Sequence, residues 1–280
     1  MQLREAAPPG AVGAEGVERE LVRTLQASAR PAPDGLPQRV RPVAFPVVRY
    51  QFVDCRWELG YPGRGRDLYL AGHIPGASFL DVDEDLAAPP GAGGRHPLPD
   101  TASFAKAASR AGIEPGVFAI AYGSMGGAER LWWLLRHFGH DDCAVLELEG
   151  WLGPMRAGDE EIAPAAFEAR PRSDDTISAD ELAARLEELV VVDARQPGRF
   201  RGEPNAIDRV PGRVPGAVNA PWNAPLPDLP GGDLVAYCGS GVTACVVLHR
   251  LALIGHDAKL YPGSWSEWEQ RDLPVERGQS

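Results

Sequence analysis

Three features of the 280-residue sequence predict an α/β protein built from two copies of one domain, each a mainly parallel sheet covered by helices on both faces. Short apolar strands alternate with amphipathic helical stretches, the chain echoes itself, and each echo keeps the order of its elements. FVDCRW at 52–57 returns as VVDARQ at 191–196, and AGHIPGASF at 71–79 returns as PGRVPGAVN at 211–219. Downstream, AIAYGS (119–124) matches LVAYCGS (234–240), LLRHFGH (134–140) matches LALIGH (251–256), and LELEGW (146–151) matches KLYPGSW (259–265). The spacing between copies shrinks along the chain from about 140 to about 115 residues. The first copy therefore carries an insertion of about 25 residues after its HIPGA, in the Asp/Pro/Gly-rich stretch 81–100.

Each copy reads as a strand ending in Asp, a loop, a strand near Pro-Gly-Ala, a helix, another strand and an amphipathic helix. Such alternation lays strands parallel and puts the crossover helices on the two faces of the sheet. Ser178 and Glu181 form a capping box that opens a helix in ISADELAARLEEL, and Gly139 and Gly255 stand where helices should stop. ERLWWLLRHFG, with Trp and Leu at helical spacing, reads as a core helix of the first copy. The organisation that follows is an Ala/Pro/Gly-rich extension over 1–44 with a short helical pattern at VERELVRTLQ, a first domain over 45–153, a charged linker over 154–176 and a second domain over 177–280.

Composition excludes several functions. A hydrophobic content of 44% supports a core, whereas a formal net charge of −11 argues against nucleic-acid or anionic-membrane partners, which need cationic surface. No run of 18 apolar residues is present and the first residues lack a signal-like apolar stretch, so a cytoplasmic protein is expected. Cys55, Cys143, Cys238 and Cys245 are too few and too scattered for a disulfide framework, and no CxxC pair suggests zinc. GAGG at 91–94 lacks the Lys-Ser/Thr ending of a nucleotide loop. Neither metal nor cofactor is expected.

Chemistry concentrates in AYCGSGVTACVVL, residues 236–248. DLVAYC is short enough for a buried strand and VTACVVLHRLALIGH has helical spacing, so Cys238 falls at a strand-to-helix turn, the ligand-binding edge of an α/β sheet. Gly239, Ser240 and Gly241 leave backbone N–H groups free to turn inward, and the following helix adds its positive end. That setting stabilises negative charge on sulfur. Cys245 reads as a helix-interior residue, Cys55 as a core residue at a strand end and Cys143 as the start of a strand. Aligning Tyr122 with Tyr237 puts Gly123 opposite Cys238, so one copy is competent and the other degenerate. Phosphatases of related geometry place Arg six residues after the cysteine; here that position is Ala244.

VDCRW and GHIPGA in the first half, with VVDARQPGRF, AYCGSGVTAC and GSWSEW in the second, resemble the tandem-domain rhodanese or sulfurtransferase family over roughly 45–275. The resemblance implies two rhodanese-like domains, the first inactive, and transfer of sulfane sulfur through a persulfide on Cys238. It implies that the loop Cys238, Gly239, Ser240, Gly241, Val242 and Thr243 cradles the sulfur, with Ser240 taking part in catalysis, and that no cofactor is needed. Thiosulfate-using members show CRKGVT and mercaptopyruvate-using members CGSGVT, which favours 3-mercaptopyruvate as donor; thiosulfate is the alternative. Arg199 matches an arginine that binds the donor's carboxylate, and Arg209 is a candidate for a second. Arg195 with Asp193, like Arg56 with Asp54, matches a structural pair.

Asp67 and His73 resemble first-domain residues that face the active site, although a histidine there is more often structural. Arg213 replaces a more usual His and reads as a solvated loop residue; Trp265 and Trp268 read as packing for the last loop. The acceptors implied are thioredoxin, a low-molecular-weight thiol or cyanide. A reading of another class makes Cys238 a persulfide carrier that processes no small donor, which intact Arg199 and Ser240 argue against.

Overall fold

The computed structural model describes residues 49–278, so the extension 1–44 and its helical pattern lie outside the described residues. The first sheet holds β1 (Arg49–Cys55), β2 (Ser78–Phe79), β3 (Val117–Gly123) and β4 (Cys143–Leu146) in the order β2-β1-β3-β4. The second holds β5 (Leu189–Asp193), β6 (Val218–Asn219), β7 (Asp233–Tyr237) and β8 (Ala258–Leu260) in the order β6-β5-β7-β8. All six ladders are parallel, and the repeat extends to register: Asp54 lies opposite Tyr122 as Asp193 lies opposite Tyr237. The fold is the two-sheet α/β architecture that the sequence echo predicts.

Seven helices connect these strands among the described residues: α1 (Arg64–Ala71), α2 (Thr101–Arg110), α3 (Gly127–His137), α4 (Ala179–Ala184), α5 (Pro197–Arg201), α6 (Ala244–Leu253) and α7 (Ser264–Trp268). Strand alternation sorts the side chains between two faces. In β7, Val235 and Tyr237 join Phe200, Trp265 and Trp268 on the outer face, while Leu234 and Ala236 face inward. The inner faces of both sheets, with Leu131 and Leu135 of α3 and Val247 and Leu248 of α6, belong to a single apolar cluster that crosses from one half to the other. The seam between the halves is therefore core.

The Asp–Arg pairs are structural in both copies. Arg195 Nε and Nη2 donate to Asp193 at 3.0 and 2.6 Å, and Nη2 also donates to Gly212 O at 2.8 Å. Arg56 does the same with Asp54 and with Gly72 O at 2.6 Å. Each guanidinium thus ties a strand end to the Pro-Gly-Ala loop.

Arg213 corrects the reading of a solvated loop residue: it is 1% exposed, paired with Glu276, and lies 4.3 Å over the Phe200 ring. His73 occupies the same place in the first copy, with Nε2 3.3 Å from Glu160 and its ring stacked on Tyr69. Glu160 accepts from the Gly76 N–H at 2.9 Å and Glu276 from the Gly216 N–H at 2.8 Å. In both copies, chain leaving the domain returns a carboxylate that clamps the Pro-Gly turn, and a buried side chain, His73 or Arg213, is its partner.

α4 is shorter than the helical pattern of ISADELAARLEEL. Ser178 caps it through the Glu181 N–H at 3.2 Å, but the N–H groups of Glu188 and Leu189 bond back to Arg185 O, turning the chain into β5. The stretch 154–176 runs along the first half, with backbone bonds from Ala165 to Ser109 and from Arg172 to His137. No helix among the described residues is long and apolar enough to cross a membrane.

At the seam, His249 of α6 packs edge-on to Trp132 of α3, with ring centroids 4.8 Å apart, and burial pushes its pKa down to about 4. The same ring titrates near 6.5 when unfolded, so between those values the unfolded chain binds more protons and stability falls as pH drops. His249→Gln should flatten that part of the stability curve by up to about 3 kcal/mol, read from urea melts at about pH 7 and about pH 4.5. Parallel curves for the two proteins would contradict burial of a neutral ring at the seam.

Candidate active site

Cys238–Thr243 form a six-residue loop between the end of β7 and the start of α6. The inward alternation of Leu234 and Ala236 continues to Cys238, which is 1% exposed and belongs to the inner cluster. Val242 is buried in the same cluster, and Thr243 leads into α6 without a side-chain cap.

What the loop's backbone groups bond to decides where its remaining donors point. The Cys238 N–H donates to Ser264 Oγ at 3.1 Å, and the carbonyls of Cys238 and Gly239 accept from the N–H groups of Trp265 and Ser266, each at 2.9 Å. The start of α7, the GSWSEW segment, thus straps down the front of the loop. Gly241 O accepts from Arg130 at 3.2 Å and from the Cys245 thiol at 3.3 Å. The N–H groups of Ser240 and Gly241 point at Cys238 Sγ, at 3.5 and 3.1 Å.

The four cysteines divide by what their sulfur does. Cys55, Cys143 and Cys245 point S–H at carbonyls; burial pushes Cys143 and Cys245 up to about 12 and raises Cys55 well above the usual thiol range. These three are thiols. Cys238 instead accepts from two N–H donors, an arrangement that suits a sulfur carrying negative charge.

Cationic groups surround it from other elements. Arg130 of α3 is fully buried, and its guanidinium reaches Leu86 O, His96 O, Pro97 O and Gly241 O with no carboxylate among its partners. Its field acts on both Cys238 and Cys245. Arg199 of α5 lies over Gly239, held through Nε at 2.7 Å and through Nη2 by Asp208. Arg95 lies beside it.

The first half also contributes a hydrogen-bonded run that the sequence reading missed. His96 Nδ1 shares a 2.7 Å bond with Ser240 Oγ, and Nε2 lies 2.8 Å from Asp83 Oδ1. A carboxylate only accepts, so Nε2 carries the proton, and in a neutral ring Nδ1 then accepts from the Ser240 hydroxyl. Asp83, Arg95 and His96 all lie in the 81–100 insertion. The signal for them was the insertion itself, which equips the copy that has Gly123 in place of the loop cysteine and is rich in groups able to act on a neighbour.

Three of the expected contributors do not join this cluster. Asp67 is exposed on α1, and His73 spends both ring nitrogens on Tyr69 O and Glu160. Arg209 is exposed and donates to Glu269 O at 2.9 Å. Trp265 and Trp268 pack as expected, each fully buried, donating to Val210 O and Pro274 O.

The Rhodanese-like domain family matches residues 46–152 and 178–271. The chain belongs to this family. A Pseudomonas aeruginosa relative named as a probable 3-mercaptopyruvate sulfurtransferase is 38% identical, covering 77% of this rhodanese and 88% of the relative. A Mycobacterium tuberculosis relative named as a thiosulfate sulfurtransferase is 35% identical over 81% of this chain and 90% of its own. Among solved structures, SseA from Escherichia coli, described as a 3-mercaptopyruvate sulfotransferase, superposes with a TM-score of 0.64 at 31% identity, covering 78% of this chain and 93% of SseA. Like these relatives, this tandem rhodanese is a sulfurtransferase.

Gly241 has φ +82°, and a Cβ there would sit 2.5 Å from Pro262 O. Gly241→Ala should destabilise the protein by about 1–3 kcal/mol and displace the nearer of the two N–H donors. The expected result is a lowered melting temperature together with loss of persulfide formation on Cys238, read by mass spectrometry. Full persulfide formation in a folded Gly241→Ala protein would show that this donor is dispensable.

Proposed function

We propose that this rhodanese takes sulfur from 3-mercaptopyruvate, holds it as a persulfide on Cys238, and passes it to a thiol acceptor such as thioredoxin or a low-molecular-weight thiol, or to cyanide. The observation that carries the donor choice is the run Asp83–His96–Ser240, which ends inside the cysteine loop. Thiosulfate leaves as sulfite and needs no proton, whereas mercaptopyruvate has a thiol proton to lose and an enolate to quench. A hydroxyl–imidazole–carboxylate run serves the second donor.

The Cys238 thiolate attacks the donor sulfur. As the S–S bond forms, the C3–S bond breaks and its electron pair moves into the pyruvate fragment as an enolate. The donor's thiol proton ends on the enolate carbon, giving pyruvate and Cys–S–S⁻, so atoms and charge balance. Ser240 faces the developing enolate oxygen, and His96, oriented by Asp83, carries the proton. In the second step the acceptor thiolate, or cyanide, attacks the outer sulfur and Cys238 leaves as thiolate. Each step displaces a stable leaving group, which is the advantage of covalent catalysis. The N–H groups of Ser240 and Gly241 and the charge of Arg130 support sulfur anion in both states.

The thiosulfate alternative draws on a different observation, the convergence of Arg95 and Arg199 over Gly239, which suits a dianion. Parallel kcat/KM measurements for the two donors, with cyanide as common acceptor and Cys238→Ser as blank, decide between them. At least a tenfold preference for 3-mercaptopyruvate is expected, roughly 1.4 kcal/mol in transition-state binding. The reverse preference would overturn the donor assignment, and turnover of neither would leave a persulfide carrier.

His96→Gln and Ser240→Ala test the proton run separately. Each should lower kcat/KM for 3-mercaptopyruvate by roughly 10²-fold or more, and change cyanide capture from preformed persulfide by less than about twofold. Equal losses in both half-reactions would assign His96 to holding the loop instead of moving a proton.

A further inference from the structure

Arg95 is a cation at the sulfur site that no carboxylate among the described residues pairs with. Its backbone is fixed: the Arg95 N–H donates to Ser266 Oγ at 2.9 Å, and Gly94 before it has φ +99° with no room for a side chain against Gly263 O. The guanidinium forms no ion pair among the described residues, and its Nε is buried without a hydrogen-bond partner. It is nevertheless turned toward another cation. A Cβ built on Gly239 would lie 2.8 Å from Arg199 Nη2 and 3.1 Å from Arg95 Nη2.

Two guanidiniums thus meet over one glycine, and only Arg199 is neutralised, by Asp208 through Nε and Nη2. Burial first, and then the charge of Arg199, pull Arg95 down from the ordinary arginine range. A buried unpartnered donor and a like-charge contact are each unfavourable, and an arriving anion relieves both. Arg209, the candidate suggested by sequence, is exposed and donates to Glu269 O.

Building on the donor reading above, we infer that Arg95 is the second anchor for the donor's carboxylate, shared with Nη1 of Arg199, so that donor recognition is divided between the two halves of the chain. One carboxylate oxygen goes to each guanidinium, and the thiol end of the donor is directed toward Cys238. A donor of the α-keto monocarboxylate class then binds only when the 81–100 insertion is docked. The catalytically silent half becomes a specificity element of the active one.

The test compares 3-mercaptopyruvate with mercaptoacetone, which keeps the thiol and carbonyl but lacks the carboxylate. Arg95→Gln should reduce kcat/KM for 3-mercaptopyruvate by roughly 10- to 100-fold, mainly through KM, and leave mercaptoacetone within about twofold. Arg95→Lys should fall between, because a point charge keeps attraction but loses the planar fork. Equal losses with both donors would make Arg95 structural, and no loss with either would remove it from the site; both outcomes overturn the inference. Pyruvate titrated into wild type and Arg95→Gln keeps this test apart from the donor assignment. Even if wild type turned over no 3-mercaptopyruvate, pyruvate binding weakened by about tenfold would uphold Arg95 as a carboxylate anchor, and unchanged binding would refute it.

Discussion

Ser240 and Gly241 turn their N–H groups onto the Cys238 sulfur while the Cys238 N–H and the carbonyls of Cys238, Gly239 and Gly241 are committed elsewhere. That commitment comes from outside the loop. Ser264, Trp265 and Ser266 take up the front of it, and Arg130 and Cys245 take up Gly241 O behind the two donors. Glycine at 241 lets the chain turn through φ +82° close to Pro262 O. The sulfur site is therefore a by-product of how the GSWSEW helix and α3 pack on the loop.

The dependence runs through both halves of the chain. Arg130 is a first-half residue, and so are Asp83, Arg95 and His96. All of them approach the loop across a seam that is continuous core, with α3 against α6 and Gly126 fitted 3.1 Å from Thr243 Cα if it carried a Cβ. A core seam has few alternative packings and holds polar groups to narrow tolerances, which a wet and mobile domain interface would not. The hydrogen bond between His96 and Ser240 spans that seam, so the hydrogen-bonded run exists only in the assembled pair.

Local pattern made much of this legible in the sequence, and tertiary contact hid the rest. The echo predicted both sheets, and Tyr122 and Tyr237 do occupy equivalent registers. Cys238 could be singled out because a strand, a small-residue loop and a helix follow one another without interruption, a purely local signal. The Asp–Arg pairs, two residues apart, were legible through the family resemblance. Arg213 was misread because a loop position gives no hint that Glu276, far along the chain, returns to bury it. Asp83 and His96 were invisible because their partners lie 13 and 144 residues away, and no periodicity links an insertion in one domain to a serine in the other. Arg209 drew attention by its sequence neighbourhood; Arg95 is where the folded chain puts the charge.

The first copy shows why the repeat could not keep two active sites in this geometry. Four residues separate Tyr122 from the first residue of α3, whereas six separate Tyr237 from the first residue of α6. A loop shortened by two cannot form the turn that brings two N–H groups back onto one sulfur. Gly123, the counterpart of Cys238, is also closely packed: a Cβ there would lie 2.8 Å from Cys55 O and 3.0 Å from Ala128 N. A cysteine at 123 would thus strain the end of β1 before it could react, and it would find no nest of N–H donors. What the first copy lost in loop length it regained as the 81–100 insertion, whose Arg95 and His96 lie against the second copy's cysteine loop. Divergence between the copies converted two similar domains into one site, in which a cysteine loop from the second half is hydrogen-bonded to His96 and Arg130 of the first.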